Sequence, residues 1–204
     1  LIDYFETHEK ELYPYKIFTP QNNKKYPHMI ARVCNVEYPV VVENEQECGM
    51  GVFIDIYPMD GVGSDLSAWR RMLKWRQQLI AGSFYATRLR FERPKKWYRI
   101  PDRFVLYLFA KCVGRDFFFR RLEAYKDRFA WEESRYIGCA VWEQDTYEKC
   151  DFENVIRMPF EDLSVMVPAE YDRILRPLYD DYMLLPPKEN RKPHHNYAAY
   201  RKSL

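Results

Sequence analysis

The sequence predicts a single domain of the α+β class, and three observations lead to this prediction. Short runs rich in β-branched and aromatic residues, ended by glycine or proline, occur between residues 28 and 61. Apolar residues recur at helical spacing between residues 64 and 131. A strand pattern followed by a helix pattern returns between residues 160 and 179. We therefore expect one domain over residues 1–204, with residues 64–131 as a mainly helical insertion within it.

The composition is that of a globular protein, with 47% apolar and 30% charged residues. The net charge of +2 argues against a nucleic-acid partner, which would require a strongly basic surface. The five cysteines include no CxxC pair, so neither a disulfide framework nor a zinc ribbon is expected. A reducing, cytoplasmic location fits this cysteine usage best. The longest apolar run, residues 104–110, is far shorter than the roughly 20 residues that span a bilayer.

The N-terminal part predicts a short helix and a three-stranded meander. Residues 1–12 resemble the end of a helix without a capping residue at its start, which suggests that the natural N-terminus is missing. Two strands are expected at residues 28–36 and 39–43, leading into a third strand that begins near residue 49. The acidic turn before it, with Glu43, Glu45 and Glu47, is either a cation site or a solvated loop. We favour the solvated loop because nothing apolar shields these side chains.

One carboxylate interrupts the strand that organises the chain. In residues 49–61, GMGVFIDIYPMDG, Asp55 stands among strand-forming apolar residues, and Pro58 closes the run. Asp60 follows in an expected turn, where aspartate is common. Because a buried charge is costly unless it is paired or bound to a metal, Asp55 is the sharper candidate. It belongs either to a metal or phosphate site or to a sheet edge where it accepts backbone hydrogen bonds. We expect a central strand with this carboxylate facing a cleft.

The remaining elements follow from periodicity and from glycine and proline positions. A helix capped by Ser64 or Asp65 should run to about residue 89, and a second should end at Gly114. Further along we expect the following: a helix at 117–131, a strand at 136–141, irregular chain at 152–158, a turn and strand at 160–168, and a helix at 169–179.

Two segments of this chain resemble a known family. Residues 51–62, GVFIDIYPMDGV, are similar to the FIDIFPLDG segment of LicD-type phosphotransferases. Residues 160–187 resemble that family's C-terminal pattern, in which a strand ending in proline is followed by a helix, a YGDYM element and paired prolines. The two motifs occur in the family's order and lie about 100 residues apart, which makes the pair much more specific than either motif alone.

The resemblance implies a nucleotidyltransferase-like mixed sheet and a transferase that uses a CDP-activated donor. The transferred group would most often be phosphocholine from CDP-choline, and the acceptor a cell-surface glycan or its lipid-linked precursor. By the resemblance, Asp55 is a catalytic residue and a ligand of Mg²⁺, the cofactor that neutralises the diphosphate. Asp181 matches the aspartate of the YGDYM element. It either contacts donor or acceptor as a second catalytic residue, or caps a turn.

The sequence also departs from the family. The family's acidic WDDDID run is absent, and residues 1–204 contain no D-x-D, so we expect the N-terminal strand segment to lie upstream. This chain alone should therefore have little or no transferase activity. A degenerate, non-catalytic relative that binds a glycan or a partner protein is the alternative. Asp180 stands where the family has glycine, and it can adopt a positive φ at modest cost.

Several other residues are candidates for ligand binding, and each also has a simpler interpretation. Arg32, with Lys24 and Lys25, would bind phosphate or lie on the surface, and His194 would bind phosphate or be solvated. An aromatic cage for choline has Trp142, Tyr182 and Tyr197 available.

A peripheral membrane contact is considered for the helix that follows the basic and aromatic residues 95–103. Phe104, Tyr107 and Lys111 share one of its faces. Either this face packs on other helices or it faces lipid.

Overall fold

A computed structural model of the chain describes residues 1–141, 145–191 and 197–201. These residues adopt an α+β fold, which confirms the predicted class. The helices are α1 (Ile2–Thr7), α2 (Leu66–Thr87), α3 (Ile100–Val113), α4 (Arg115–Glu123) and α5 (Tyr171–Tyr179). The strands are β1 (Tyr15–Phe18), β2 (Ala31–Val42), β3 (Gly51–Ile56), β4 (Asp60–Gly63), β5 (Tyr136–Gly138), β6 (Thr146–Glu148), β7 (Val155–Phe160), β8 (Leu163–Pro168) and β9 (Tyr197–Ala199).

The strands form three separate sheets instead of the one mixed sheet that we expected. The first contains β1, β2, β3 and β9, the second runs in the order β4-β5-β6, and the third is the β7–β8 hairpin. Every pairing between these strands is antiparallel. A nucleotidyltransferase-like fold therefore stays a prediction. Among the described residues, no helix combines the length and the apolar character needed to cross a bilayer.

β2 is one strand of 12 residues and not the two strands predicted. Its register against β3 shifts between Asn35 and Pro39, so that the intervening residues bulge out without ending the strand. Gly51 faces this bulge, and a Cβ there would lie 1.7 Å from the Asn35 carbonyl oxygen. Only glycine allows this close approach of the two backbones, so Gly51 holds the bulge against β3.

β3 lies at an edge of the first sheet, so the central position expected for Asp55 is wrong within the described residues. Successive side chains of a strand point to opposite faces. Phe53 and Asp55 therefore share one face, which is half-buried, while Val52 and Ile54 share the other. Ile54 is 70% exposed, so the face with Val52 and Ile54 is open to solvent although its residues are apolar.

Asp60 begins β4 and does not lie in a turn as expected. It is paired with Gly138 of β5, and its carboxylate accepts a hydrogen bond from the Ala140 backbone N–H at 3.1 Å. Burial raises the pKa of Asp60 above its ordinary value. The aspartate thus ties the second sheet to the chain that follows β5, a contact between residues far apart in sequence that turn statistics could not indicate.

The predicted helices are confirmed with shifted ends. The Asp65 carboxylate accepts a hydrogen bond from the Ser67 N–H at 2.7 Å and caps α2, and α3 ends at Gly114 with a φ of 76°. α4 stops at Glu123, eight residues before its predicted end. Beyond it the chain continues in i→i−3 turns, such as the bond from the Lys126 N–H to the Glu123 carbonyl at 3.0 Å.

The helices pack against one another and against the strands around a shared core. α2 contacts both α3 and α4. At Gly82 of α2 a Cβ would lie 2.1 Å from the Phe118 ring of α4, so this helix crossing requires glycine. Ile30 before β2, Leu122 of α4 and Val141 after β5 are fully buried in one cluster. Residues 66–123 therefore contain three helices that pack on the strand-bearing part, and their status as an insertion stays a prediction.

Among the described residues, the C-terminal part contains three strands that we did not expect, namely β6, β7 and β9. Residues predicted to be irregular form β7, which pairs with β8 along its whole length from Val155 to Phe160. A two-residue turn joins the strands, with a φ of 55° at Glu161. Pro159 is tolerated because this isolated hairpin has two edges, so its missing N–H does not break a central ladder. The predicted helix after Pro168 is confirmed as α5.

Asp180 adopts a positive φ of 58° at the end of α5, as its match to a family glycine suggested. Because glycine takes this conformation without the Cβ penalty, we expect Asp180→Gly to raise the free energy of unfolding by about 1 kcal/mol. The matched control is Asp181→Gly, which removes the hydrogen bond that the Asp181 carboxylate accepts from the Met183 N–H and should destabilise the protein. Urea unfolding followed by circular dichroism measures both. If both variants lose the same free energy of unfolding, the positive φ of Asp180 does not determine the effect of its replacement.

Candidate functional site

A buried ion pair joins β2 to β3. Arg32 and Asp55 are direct cross-strand partners, and the Arg32 Nε donates to the Asp55 Oδ1 at 2.5 Å. The Arg32 side chain is 8% exposed, whereas the Asp55 side chain keeps a larger exposed fraction. The Tyr57 hydroxyl lies 3.4 Å from the second carboxylate oxygen. Asp55 therefore pairs with an enclosed guanidinium and lies near a phenol hydroxyl, and its partly exposed carboxylate faces a cleft as predicted from the sequence.

The Arg32 guanidinium is held in place from its face as well as from its edge. Its carbon atom Cζ lies 3.8 Å from the centre of the Phe53 ring, two residues before Asp55 on the same face of β3. This cation–π contact and the carboxylate bond together fix the plane of the guanidinium. The alternation of side chains along β3 thus supplies both contacts from one strand.

A second ion pair closes the other wall of the cleft. The Glu45 carboxylate lies 3.3 Å from the Arg88 Nη1 and is only 7% exposed. Arg88 directly follows α2 as its C-cap residue, and Glu45 follows the turn between β2 and β3. Desolvation raises the pKa of Glu45, while Arg88 and then Arg32 act in the opposite direction. The solvated loop that we favoured is therefore wrong for Glu45, although Glu43 and Glu47 are exposed.

Asn44 connects the hairpin turn to the chain after α2 through hydrogen bonds. It adopts a φ of 62°, a conformation that asparagine tolerates better than most residues. Its side-chain Nδ2 donates to the Arg90 carbonyl at 3.0 Å, and its Oδ1 accepts from the Arg90 N–H at 2.7 Å. The tip of the β2–β3 hairpin is thereby bonded to the segment that leaves α2. The segments that carry the two ion pairs are consequently connected by hydrogen bonds.

His28 is buried at the same cleft, near the arginines of both ion pairs. Its ring makes edge-to-face contacts with Tyr26 and Phe84, at centroid distances of 5.4 and 6.0 Å. Burial lowers the pKa of His28 well below its ordinary value, and the charges of Arg32 and Arg88 lower it further. The imidazole is therefore neutral at physiological pH, and it adds no third positive charge between the arginines.

These residues line a cleft of about 840 Å³. Its charged side chains are four arginines and four carboxylates, namely Arg32, Arg88, Arg90, Arg93, Glu43, Glu45, Asp55 and Glu92. Its aromatic side chains are Phe53, Tyr57, Phe84, Phe91 and Tyr197. Guanidinium groups bind phosphate through paired hydrogen bonds, and aromatic rings with carboxylates attract quaternary ammonium groups. A cleft with both sets, in balanced numbers, is chemically suited to a ligand that carries both charges.

The structure brings together some of the predicted site residues and separates others. Asp55 and Arg32 are direct partners, and Tyr197 lies in the same cleft, 5.7 Å from the Phe53 ring. Asp181 lies outside this cleft and caps a turn by accepting the Met183 N–H. His194 and Trp142 fall outside the described residues. The catalytic and ligand-binding roles assigned to these residues remain predictions.

The sequence did not identify three residues of the cleft, Arg88, His28 and Glu45, as residues of this site. Arg88 was one of many basic residues near a helix end, and His28 was assigned only to a strand. Glu45 was assigned to a solvated loop. The available signal was Asn44, because an asparagine at a hairpin tip often takes a positive φ and turns its neighbours inward.

The carboxylate of Asp55 already lies close to protein donor groups. They contain no group of three His, Cys, Asp or Glu side chains placed to hold a metal ion. Both oxygens of Asp55 already face donors, Arg32 and Tyr57, so a cation would compete with these groups for the carboxylate. The assignment of Mg²⁺ and of Asp55 as its ligand therefore stays a prediction, and we derive no reaction step through a metal.

The neutral state of His28 predicts a pH dependence of stability. The unfolded chain binds a proton to this histidine near its ordinary pKa of about 6.5, whereas the folded chain resists protonation. The contribution of His28 to stability is thus complete above that pH and is lost as the pH falls below it. We expect the free energy of unfolding of the parent to fall by about 1 kcal/mol per pH unit more steeply below pH ~6 than that of His28→Gln.

Urea unfolding at a series of pH values between 7.5 and 5 measures this difference in slope. Glu45 acts in the opposite direction, since its raised pKa lets the folded state take up a proton first, and comparing the two proteins cancels that effect. His8→Gln is the control because His8 does not line the cleft. Parallel slopes for the parent and His28→Gln would contradict the assignment.

The Arg32–Asp55 pair predicts that replacing Asp55 by asparagine lowers the stability of the protein strongly, although the two side chains have nearly the same shape. Asp55→Asn keeps the side-chain shape but leaves the enclosed guanidinium without its carboxylate, so we expect a loss of about 2 kcal/mol in the free energy of unfolding. Asp102→Asn is the matched control, because Asp102 pairs with Arg99 at 3.0 Å on the surface and should cost under about 0.5 kcal/mol. Thermal and urea unfolding measure both variants. If both variants lose a similarly small free energy of unfolding, the Arg32–Asp55 pair stabilises the protein no more than a surface ion pair does.

Comparison with known proteins agrees with the sequence resemblance. The chain is 28% identical over 158 residues to the lipopolysaccharide cholinephosphotransferase LicD of Haemophilus influenzae, an alignment that covers 73% of this chain. The chain spans 57% of the length of that relative. No protein-family model matches the sequence, and no solved structure matches it. The similarity supports a LicD-like transferase at the level of the family, and it leaves the donor, the acceptor and the activity of this chain open to test.

Proposed function

We propose that this chain forms the donor-binding part of a transferase that moves phosphocholine from a CDP-choline-type donor to a hydroxyl group of a glycan. The observation that carries the proposal is the cleft between β2, β3 and the end of α2, which places guanidinium groups beside aromatic rings and carboxylates. Phosphocholine is zwitterionic, with a phosphate at one end and a trimethylammonium at the other. The balanced charges of the cleft suit this ligand better than they suit a purely anionic one.

In the proposed complex the arginines receive the phosphate. Arg32 offers a guanidinium that is already oriented by Asp55 and Phe53, so little conformational freedom is lost on binding. Arg88 faces the same cleft from the end of α2. Two fixed positive groups stabilise the charge that spreads over the phosphoryl oxygens during transfer.

The trimethylammonium would lie against the ring of Tyr197, whose centroid is 5.7 Å from that of Phe53, because the Arg32 guanidinium already covers the Phe53 ring. Asp55 and Glu45 supply negative charge nearby, which adds to the attraction of the ring faces. A primary ammonium is more strongly hydrated and fills less of such a site. We therefore expect the cleft to prefer choline over ethanolamine.

In the transfer step, the acceptor hydroxyl oxygen forms a bond to the phosphorus that carries choline, and the bond from that phosphorus to CMP breaks. The hydroxyl proton must leave to a base. Glu45 is the strongest candidate among the carboxylates of the cleft, because burial raises its pKa and makes it a better proton acceptor than an ordinary glutamate. CMP leaves with the electron pair of the broken bond.

Calorimetry with CDP-choline, phosphocholine and phosphoethanolamine tests the proposal. The parent should bind the choline compounds more tightly than phosphoethanolamine, and Arg88→Lys should weaken their binding by about tenfold by replacing a planar fork with a point charge. Tyr197→Leu should reduce the preference for choline. Arg135→Lys is the matched control, since Arg135 is an exposed arginine that pairs with Glu148 outside the cleft.

Two results would contradict the proposal. The first is that the parent binds none of these compounds, and the second is that Arg88→Lys binds them as tightly as the parent does. Binding of a glycan without any binding of CDP-choline would favour the non-catalytic alternative. Release of CMP, followed in the same samples, would show that the expectation of an inactive chain is wrong.

A further inference from the structure

One row of side chains on the outer face of α3 is apolar. Pro101, Val105, Leu108 and Cys112 follow one another at helical spacing and are all exposed. Val105 is 66% exposed and Leu108 is 49% exposed. The exposed rings of Phe104 and Phe109 flank this row. A surface helix ordinarily presents charged or polar residues on its outer face, so this row needs a partner.

The inner side of α3 is already occupied. Tyr107 lies edge-on to Tyr85 of α2 at 6.0 Å, and its ring also contacts Phe91. Lys111 donates to the carbonyl oxygens of Ala86 and Arg88. The helical face considered from the sequence consists of Phe104, Tyr107 and Lys111. Two of these residues, Tyr107 and Lys111, thus pack on α2 and the chain after it. The residues that remain available belong to the row Pro101–Cys112.

The chain that enters α3 is basic and aromatic. Residues 93–103 contain five basic side chains, Arg93, Lys95, Lys96, Arg99 and Arg103, and one acidic side chain, Asp102. Trp97 and Tyr98 lie in a 3-10 turn directly before the helix, and Trp97 is 80% exposed. The aromatic and basic groups therefore stand at one end of the apolar row.

We propose that the outer face of α3 and the preceding basic turn dock onto the surface of an anionic lipid bilayer. The helix would lie in the plane of the interface, with Val105 and Leu108 inserted among the acyl chains and Trp97 at the headgroup level. Lys95 and Lys96 would contact anionic headgroups, to which long basic side chains reach while their stems remain in apolar surroundings.

The composition of the surface favours a bilayer over a second protein. Lysine is depleted in the buried centres of protein interfaces, because it loses its hydration there. At a membrane surface the same charge gains attraction to anionic lipid. The net charge of the whole chain is only +2, so the basic turn is a local feature and does not reflect a generally basic protein.

This docking would place the cleft beside the membrane. Phe91, which lines the cleft, packs on Phe104 and Tyr107 of α3 at centroid distances of 5.2 and 5.5 Å. Arg93 also lines the cleft and begins the basic segment. An acceptor attached to lipid would thus meet the cleft without leaving the surface.

Sedimentation with vesicles tests the proposal directly. The parent chain should sediment with vesicles of phosphatidylcholine and phosphatidylglycerol and bind pure phosphatidylcholine far less. Leu108→Asp should lower the partition coefficient by roughly tenfold or more. Lys95→Gln with Lys96→Gln should lower it by roughly thirtyfold, and added salt should reduce that difference.

Leu163→Asp is the matched control, because Leu163 is also an exposed leucine, at 60% against 49% for Leu108, and it belongs to the β7–β8 hairpin and not to α3. It should bind vesicles as the parent does. Melting temperatures of all variants confirm that they are folded, and Leu108 is exposed enough for its change to leave melting nearly unaltered.

Three results would overturn the proposal. One is a parent chain that does not sediment with anionic vesicles, and another is a Leu108→Asp variant that sediments as well as the parent does. The third is concentration-dependent dimerisation in ultracentrifugation that Leu108→Asp abolishes, which would assign this face to a second copy of the chain. Failure of CDP-choline to bind would leave the proposal intact, since vesicle binding does not depend on the cleft.

Discussion

The enclosed charge of Arg32 is the constraint on which the cleft depends. A guanidinium that is almost removed from water must find a carboxylate, and Asp55 meets it because the antiparallel register places the two residues opposite each other. The bulge in β2 and the bare backbone of Gly51 hold that register. The same strand alternation brings Phe53 under the guanidinium. Backbone geometry, charge pairing and ring stacking therefore all fix one group at the floor of the cleft.

The second ion pair extends this arrangement from the sheet to the helices. Glu45 and Arg88 connect the β2–β3 hairpin to the end of α2, and Asn44 doubles the connection through the backbone of Arg90. His28 between the pairs is kept neutral by its surroundings, so the cleft retains equal numbers of positive and negative side chains. Such a surface repels neither end of a zwitterion. It would bind a simple anion less well than an arginine cluster without carboxylates would.

The sequence predicted the features that depend on local residue patterns, such as helix ends. It did not predict the contacts between residues that are far apart in the chain. The cap at Asp65 and the stop at Gly114 are local signals, and both helix ends follow them closely. Asp55 was identifiable because a carboxylate in an apolar strand is itself a local anomaly. Glu45 and Arg88 are 43 positions apart, and their pairing follows only from the way the hairpin meets α2. β7 lies where irregular chain was predicted, and it is paired only with β8, an isolated hairpin that also tolerates Pro159.

The position of α3 connects the chemistry of the cleft with the proposed membrane surface. Its inner side supports Phe91 and holds the carbonyls of Ala86 and Arg88 through Lys111, so it buttresses the segment that carries the cleft wall. Its outer side has no polar residue at the exposed row. A helix needed only for support would be expected to expose polar groups, because these cost nothing in packing and improve solubility. The apolar row is therefore better explained by contact with an apolar phase than by the support of the cleft alone.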